Sequence, residues 1–190
     1  MKTGLYFGSF NPVHIGHLAI ANYMVEFTDI EQLWFVISPH NPFKKKESLL
    51  PDIDRLELLE LAIGNEVSFR ISDIEFRLPK PSYTIDTLTY LSEQYPKNRF
   101  VLILGSDNLP TFHKWKNYEH IIENYHRYVY PRKGTEDIDF KKHRNITVVD
   151  APIMEISSSF IRQAFTEGRN IKYFLPEKVY EQIVKMNFYR

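Results

Sequence analysis

The chain has 190 residues, and its 24 Lys and Arg residues balance 24 Asp and Glu residues, so its formal net charge is zero. This balance gives no general electrostatic attraction for nucleic acid or an anionic membrane, so any phosphate site must be local. Cysteine is absent, which excludes disulfides, thiolate nucleophiles and cysteine-ligated metal sites. No apolar run is long enough to span a bilayer, and residues 1–7 do not form a signal peptide. We therefore expect a cytoplasmic protein that binds neither nucleic acid nor a membrane.

Short apolar runs alternate with helical patterns along the chain, which is typical of βαβ units and a parallel sheet. The predicted strands are residues 5–7, 33–37, 67–71, 100–104, 128–130 and 146–149. The predicted helices are residues 16–27, residues 54–63, one capped by Thr84 that stops before Pro96, one after residue 159 and one from Pro176. The fold class is therefore α/β, with a Rossmann-like, doubly wound, mainly parallel sheet and helices on both faces. We expect residues 1–190 to form a single domain, whose helical C-terminal part covers about residues 151–190.

The composition of three segments indicates where they lie in this predicted fold. Residues 100–104 are solidly apolar and are followed by Gly105, as expected of a central parallel strand. Residues 38–51 hold three prolines and three consecutive lysines, and residues 133–144 are charged and irregular. Both of these segments are predicted to be surface loops.

The most informative segment is residues 8–17, Gly-Ser-Phe-Asn-Pro-Val-His-Ile-Gly-His, between the first strand and the first helix. In an open α/β sheet, ligands bind beyond the carboxyl ends of the strands, and a helix N-terminus there attracts anions. His14 and His17 can both face a bound phosphate chain and offer N–H donors to its oxygens. A histidine pair can also bind a metal ion, but no third ligand lies nearby, so we predict no metal-binding residue. We expect this loop–helix junction to lie outside the core.

A second segment has similar chemistry. Residues 156–162 read Ile-Ser-Ser-Ser-Phe-Ile-Arg, and serines at the start of a helix cap it while other backbone N–H groups stay available to phosphate oxygens. Arg162, one turn further on, can reach the same anion with its planar guanidinium group. Taken alone, the segment would be an ordinary helix cap followed by a solvated arginine.

Residues 8–17 resemble the phosphate-binding motif of the nucleotidyltransferase superfamily, Gly-x-Phe-x-Pro-x-His-x-Gly-His, at every specified position. Residues 156–162 are similar to the late signature of that superfamily, Ile-Ser-Ser-Thr-x-Ile-Arg, with a serine in place of threonine that keeps the hydroxyl. Within the superfamily, the chain resembles bacterial nicotinate-nucleotide adenylyltransferases from end to end. Residues 81–88 match their Ser-Tyr-Thr-x-x-Thr-Leu signature, residues 104–109 match Gly-x-Asp-x-Leu, and Trp115 occupies their tryptophan position. Residues 130–134 are similar to their Arg-Pro-Gly segment, in an altered order.

One departure from the family concerns its proline-rich loop, which is matched by residues 39–44. In the family this loop binds phosphate and usually ends in Pro-Pro-His-Lys. Phe43 replaces the usual histidine here, which leaves open whether Lys44, Lys45 or Lys46 binds phosphate. We favour Lys44. The alternative is a run of solvated lysines.

The resemblance implies a role for each matching residue. The implied catalytic residues are His14, His17, Lys44 and Arg162. The implied ATP-binding residues are Gly8, Ser9, Phe10, Gly16, Gly105, Asp107, Ile156, Ser157 and Ser158. The implied substrate-binding residues are Ser82, Tyr83, Thr84, Trp115, Lys116 and Arg132. In the family, the pyridine ring stacks on the tryptophan, and backbone N–H groups near the Thr84 and Lys116 positions hold the carboxylate.

The reaction implied by the resemblance transfers the AMP moiety of ATP, with Mg²⁺, to nicotinate mononucleotide (NaMN). The products are nicotinate adenine dinucleotide (NaAD) and pyrophosphate, in NAD biosynthesis. A first alternative is phosphopantetheine adenylyltransferase, which shares both phosphate motifs but usually has Thr-Asn where this chain has His14 and Ile15. A second alternative is a catalytically silent nucleotide-binding sensor, to which a loss of His17 or Arg162 would have pointed. The sequence leaves homo-oligomerisation open.

Overall fold

A computed structural model describes residues 1–39, 49–135, 139 and 142–190. Within these ranges one sheet is formed by β1 (Lys2–Gly8), β2 (Gln32–Ile37), β3 (Phe69–Ser72), β4 (Arg99–Gly105), β5 (Arg127–Tyr130) and β6 (Ile146–Val148). The strands lie in the order β3-β2-β1-β4-β5-β6, and every neighbouring pair is parallel. The predicted α/β class and the central position of β4 are confirmed, and the described sheet is parallel throughout.

The α-helices of the described chain are α1 (Ile15–Phe27), α2 (Asp52–Ile63), α3 (Thr84–Gln94), α4 (Tyr118–Asn124), α5 (Ser158–Thr166) and α6 (Glu177–Lys185). The five predicted helices correspond to α1, α2, α3, α5 and α6. The sequence analysis missed α4 and the 3₁₀ helices Ile74–Phe76, Ser106–Lys114 and Lys172–Phe174. These elements are short or contain proline, so they carry no sustained helical period. None of the helices described is both long and apolar enough to cross a bilayer.

The prediction that Thr84 caps α3 is wrong. Tyr83 is the N-cap residue, with extended backbone at φ −121° and ψ 142°, and Thr84 is the first helical residue. The backbone N–H of Thr87 donates to the Tyr83 carbonyl at 3.2 Å and closes this turn.

The sheet separates two layers of apolar side chains. Alternate residues of β4 point to opposite faces, because successive side chains of a strand alternate. Val101 and Ile103 pack with α1, α2, α5 and α6, whereas Leu102 and Leu104 pack with α3 and α4. Helices therefore cover both faces, as predicted.

The strand order fixes where a ligand can bind. The chain runs from β1 outward to β3 and then returns to β4 on the other side of β1. In doubly wound sheets the crevice at such a reversal, beyond the carboxyl ends of the strands, is the usual binding site. The loop of residues 8–14, called here the phosphate loop, begins at this crevice.

Candidate active site

The phosphate loop is organised around the buried ring of Phe10. This side chain is 2% exposed, its φ is 42°, and its ring lies 5.1 Å from that of His17. A Cβ atom at Gly8 would lie 2.9 Å from the Phe10 ring, so glycine at position 8 makes room for that ring. A positive φ is uncommon at an aromatic residue, and here it accompanies the burial of the ring.

The expectation that this junction lies outside the core is wrong. Phe10 and Val13 belong to the hydrophobic core beneath the sheet edge, and His14 is only 3% exposed. The motif is therefore partly a packing motif, with the half-buried His17 at its outer side.

A cavity of about 420 Å³ opens next to this loop. It is lined by nine of the predicted site residues: Ser9, His14, Gly16, His17, Arg132, Ile156, Ser157, Ser158 and Arg162. It is also lined by Tyr6, Asn11, Ile20, Leu49, Tyr130, Met154 and Ser159, which the sequence analysis did not select. No Asp or Glu is among the described lining residues, so the cavity suits an anion.

The two motif histidines stack on each other, with ring centroids 3.7 Å apart and an interplanar angle of 25°. The backbone N–H of His14 donates to Nδ1 of His17 at 3.3 Å. Because Nδ1 of His17 is an acceptor, a neutral His17 ring carries its proton on Nε2. His17 therefore has a fixed N–H donor at its other nitrogen.

His14 is held in its neutral form. Burial, followed by the positive charge of Arg132, lowers the pKa of His14 from 6.5 to about 4. Its Nδ1 atom is buried and has no hydrogen-bond partner among the residues described. A buried polar atom left in this way is costly unless a ligand supplies the partner.

Residues 156–162, which match the second superfamily motif, form hydrogen bonds with the phosphate loop. Ser157 caps α5, its Oγ accepting the N–H of Phe160 at 3.2 Å, so the predicted serine cap is confirmed. The hydroxyl of Ser158 donates to the Pro12 carbonyl at 3.0 Å, and Nη1 of Arg162 donates to the Asn11 carbonyl at 2.9 Å. The two motifs, about 145 residues apart in sequence, thus form one structure around the cavity.

The segment after β5 brings a second arginine to the cavity. The backbone N–H of Arg132 donates to Ser106 Oγ at 2.8 Å, and its side chain donates to the Met154 carbonyl at 3.3 Å. Its Nε lies 3.9 Å from a carboxylate oxygen of Asp107. A Cβ at Gly105 would come within 3.0 Å of the Arg132 side chain, so glycine allows this close approach. Gly105 and Asp107 support Arg132 in the structure, and their predicted contact with ATP stays a prediction.

The remaining predicted substrate residues form a second group, outside the cavity, where α3 begins. Lys116 Nζ donates to the Asp86 carboxylate at 2.9 Å and lies 4.6 Å from the centre of the Tyr83 ring. Trp115 is half-buried, and its ring is tilted by 37° against Phe112 at 4.9 Å. The N-terminus of α3, with Ser82 and Thr84, therefore faces the segment that carries the tryptophan.

Glu75 is the most notable residue near this group that the sequence analysis missed. It is 2% exposed and accepts the hydroxyls of Ser82 at 3.1 Å and Thr87 at 2.8 Å. Burial raises the pKa of Glu75, and the hydrogen bonds of these hydroxyls oppose the rise. The Glu75 carboxylate therefore holds Ser82 and Thr87 together at the start of α3. In the sequence, only its charge and its position between β3 and the Ser-Tyr-Thr signature could have suggested this role.

Two tyrosines also escaped prediction. Tyr6 in β1 and Tyr130 in β5 belong to the strands on either side of β4. Their hydroxyls lie 3.3 Å apart, and both residues line the cavity. Burial raises the pKa of Tyr6 well above its usual value. In the sequence, each is a tyrosine in a predicted strand, and only its hydroxyl group could have suggested a polar role.

Lys44, the favoured lysine of the proline-rich loop, lies outside the described residues, as do Phe43, Lys45 and Lys46. Its role as a phosphate ligand stays a prediction.

The fold and the cavity together define a nucleotidyltransferase of the Rossmann-like type. The sequence model of the cytidylyltransferase-like family matches residues 5–164. The chain is 55% identical to a probable nicotinate-nucleotide adenylyltransferase of Flavobacterium johnsoniae, over 100% of both chains. It is 50% identical to the Bacteroides fragilis protein of the same name, over 97% of this chain and 92% of that one. The chain therefore belongs to the nicotinate-nucleotide adenylyltransferases within the cytidylyltransferase-like family.

Solved structures show the same fold. A Plasmodium falciparum nicotinic acid mononucleotide adenylyltransferase complexed with NaAD superposes with a TM-score of 0.84, at 22% identity, covering 99% of this chain and 97% of that one. The P. falciparum enzyme complexed with APC gives a TM-score of 0.82 over 99% and 96% of the two chains.

Proposed function

We propose that the chain transfers the AMP moiety of ATP to NaMN, giving NaAD and pyrophosphate in NAD biosynthesis. The observation that carries the proposal is the cavity in which the stacked pair of His14 and His17 meets two arginines and the N-terminus of α5. The full-length identity to nicotinate-nucleotide adenylyltransferases supports the choice of substrate.

The reaction does not require the protein to act as a general acid or a general base. The nucleophile is the phosphate of NaMN, whose second pKa is about 6, so it is already largely dianionic at neutral pH. The neutral His14, with its pKa near 4, is accordingly suited to donate a hydrogen bond and is poorly suited to store a proton. Rate enhancement then comes from in-line positioning and from neutralising charge on the phosphoryl oxygens.

We assign the cavity residues on this basis. His17, through Nε2–H, and the neutral ring of His14 would donate to oxygens of the α-phosphoryl group. Arg132, Arg162 and the backbone N–H groups at the start of α5 would hold the outer phosphates, since helix N-termini commonly bind anions. Lys44 would add a further cation from its loop.

Mg²⁺ is proposed as part of the ATP substrate. The described chain contains no group of three or more His, Asp or Glu residues that could hold a metal ion, and the described cavity lining has no carboxylate. An ion bound by the ATP phosphates and water fits such a site, because Mg²⁺ retains much of its hydration shell.

The pyridine end of NaMN is proposed to bind at the start of α3. Trp115 offers a flat platform for the ring, and the backbone N–H groups of Thr84 and Lys116 offer donors for the carboxylate. The Lys116 side chain pairs with Asp86 and lies over the Tyr83 ring, so it links its segment to the start of α3.

The test is pyrophosphate release from ATP by the purified protein, with NaMN or phosphopantetheine as the second substrate. We expect turnover with NaMN and background release with phosphopantetheine. Turnover with phosphopantetheine alone would support the first alternative enzyme. ATP binding without release in the presence of either substrate would support a silent sensor.

A further inference from the structure

Asn11, in the middle of the phosphate loop, is a junction of hydrogen bonds. It is 3% exposed and lines the cavity. Its Oδ1 accepts the hydroxyl of Tyr189 at 2.8 Å and the N–H of Leu50 at 3.2 Å. Its backbone carbonyl accepts Arg162 at 2.9 Å. The side chain and the backbone of one loop residue are thus held from three directions.

Tyr189 reaches this junction from the segment that follows α6, and it is itself fixed. Its carbonyl accepts the hydroxyl of Thr166 at 3.0 Å, and its ring lies 6.3 Å from that of Phe165. The preceding N–H, of Phe188, donates to the carbonyl of Ile183 at 3.1 Å. The tyrosine is therefore anchored on α5 and α6 before it meets Asn11.

The hydroxyl of Tyr189 stays protonated. Burial raises its pKa well above the usual 10, although the nearby Arg162 and Arg55 act in the opposite direction. The backbone N–H of Leu50 can only donate, so it fixes Oδ1 of Asn11 as the acceptor, and the Tyr189 hydroxyl donates to the same oxygen. The amide is thereby held in one of its two orientations.

Leu50 extends the junction to a second loop. Its carbonyl accepts Nε of the fully buried Arg55 at 3.1 Å. Nη1 of Arg55 donates to the carbonyls of Ser9 at 2.7 Å and Ser38 at 2.9 Å. Ser38 and Leu50 lie on either side of residues 40–48, the segment that carries the lysines. One network of hydrogen bonds therefore joins Tyr189, after α6, to the phosphate loop and to the residues on both sides of residues 40–48.

We propose that Tyr189 is a positioning residue for AMP transfer, and that its hydroxyl sets the position of the phosphate loop through Asn11. The proposal rests on the proposed function for its link to catalysis. Phosphoryl transfer depends on the placement of donors around the phosphorus, and an error of about 1 Å can lower a rate about 10²-fold. Loss of one anchoring hydrogen bond should shift the loop by less than this, so a smaller loss of rate is expected.

The experiment compares Tyr189→Phe with Tyr173→Phe. The first change removes only the hydroxyl, and the second removes the hydroxyl of a tyrosine that is 87% exposed and lies outside the cavity. For Tyr189→Phe, we expect kcat to fall about tenfold and the Kd of ATP, measured by calorimetry, to rise about fivefold. The KM for NaMN should stay within about twofold, because its pyridine contacts belong to the other group. Tyr173→Phe should match the wild type in all three quantities.

A double-mutant cycle keeps the proposal testable if stability also changes. All rates are measured at a temperature where circular dichroism shows each variant folded. In an Asn11→Ala background, Tyr189→Phe should cause no further loss of rate or ATP affinity. A lower Tm with unchanged kcat and unchanged ATP affinity, or equal losses in both backgrounds, would overturn the proposal. If the wild type binds ATP but never releases pyrophosphate, the proposed function fails, and the ATP affinities still decide the role of Tyr189.

Discussion

His14 and His17 lie three residues apart in one motif but have different environments. His14 is buried, its ring is stacked under that of its neighbour, and its Nδ1 lacks a partner within the described chain. His17 is half-buried and has its tautomer set by a backbone N–H. The difference predicts separate consequences for the loss of each residue.

His17→Ala should lower kcat by about 10²-fold or more, as for the loss of a preorganised donor to a developing oxyanion. Stability should fall modestly, because the rings of Phe10 and Tyr6 pack against His17 at 5.1 and 6.1 Å. The measurement is steady-state turnover of the folded variant beside His120→Ala, a change at an exposed position on α4. Near-normal turnover of folded His17→Ala would remove this residue from the mechanism.

His14 should make the protein less stable in acid. Its pKa is about 4 in the folded protein against 6.5 as the ordinary value, so between these pH values the unfolded chain binds a proton that the folded chain does not. The free energy of unfolding therefore falls as pH drops from 6.5 to about 4, by up to ~3 kcal/mol. Urea titrations at neutral pH and near pH 4 would measure this loss in the wild type and in His14→Gln.

The His14→Gln variant lacks the titrating ring, so it should lose less stability over the same pH range. Other groups that titrate in this range affect both proteins, and the difference between them isolates His14. An identical pH dependence for the two proteins would contradict the burial argument.

Helix starts and strand ends position most of the candidate site. Most of the strands were predictable because they contain short apolar runs, and β4 ends at Gly105, where a side chain would crowd Arg132. The 3₁₀ helix before Trp115 was not, since its sequence includes Pro110 and has no sustained period. The clamp of Glu75 on Ser82 and Thr87 depends on tertiary contacts that a local pattern does not encode.

The start of α3 should select the acid over the amide form of the mononucleotide. Two backbone N–H donors can both bond to a carboxylate, whereas a carboxamide in either orientation turns its NH₂ toward one of them. Sites that leave such a group unpaired discriminate by about 10² to 10⁵. We therefore expect kcat/KM for NaMN to exceed that for nicotinamide mononucleotide by at least about 10²-fold.

Trp115→Ala is the matched comparison. It should weaken both mononucleotides by similar factors, because stacking on the tryptophan depends on the ring and not on its substituent. Comparable kcat/KM values for acid and amide in the wild type would overturn the assignment of the α3 site while leaving AMP transfer intact.

A second prediction about a structural element concerns the predicted loop that carries Lys44, Lys45 and Lys46. If Lys44 alone binds phosphate, Lys44→Ala should impair the use of ATP, while Lys45→Ala and Lys46→Ala remain close to the wild type. The measurement is the KM of ATP for the three single variants. Equal and small effects at all three positions would favour a solvated lysine run.

At the scale of the whole molecule, residues distant in sequence share one core. Tyr6 in β1 packs in the same cluster as Phe165 in α5 and Ile183 in α6. The sequence predicted both helices, but it did not indicate which of their residues share this core. The bond between Asn11 and Tyr189 spans 178 positions, and no sequence pattern indicated it.

We propose on this basis that residues 1–190 unfold as a single domain. Urea unfolding followed by tryptophan fluorescence should coincide with unfolding followed by circular dichroism. Fluorescence reports on Trp34 and Trp115, which both pack on the α3 face of the sheet, and circular dichroism reports on helices of both faces. An earlier transition in circular dichroism alone would indicate that the C-terminal helices form a separate unit.

Transfer of a label from ATP tests the central claim most directly. The protein is incubated with NaMN, Mg²⁺ and ATP that is radiolabelled at the α-phosphorus, and the products are separated by chromatography. The account predicts that the label appears in NaAD and that unlabelled pyrophosphate is released in equal amount. Label that stays in ATP, or that appears in free AMP without NaAD, would contradict it.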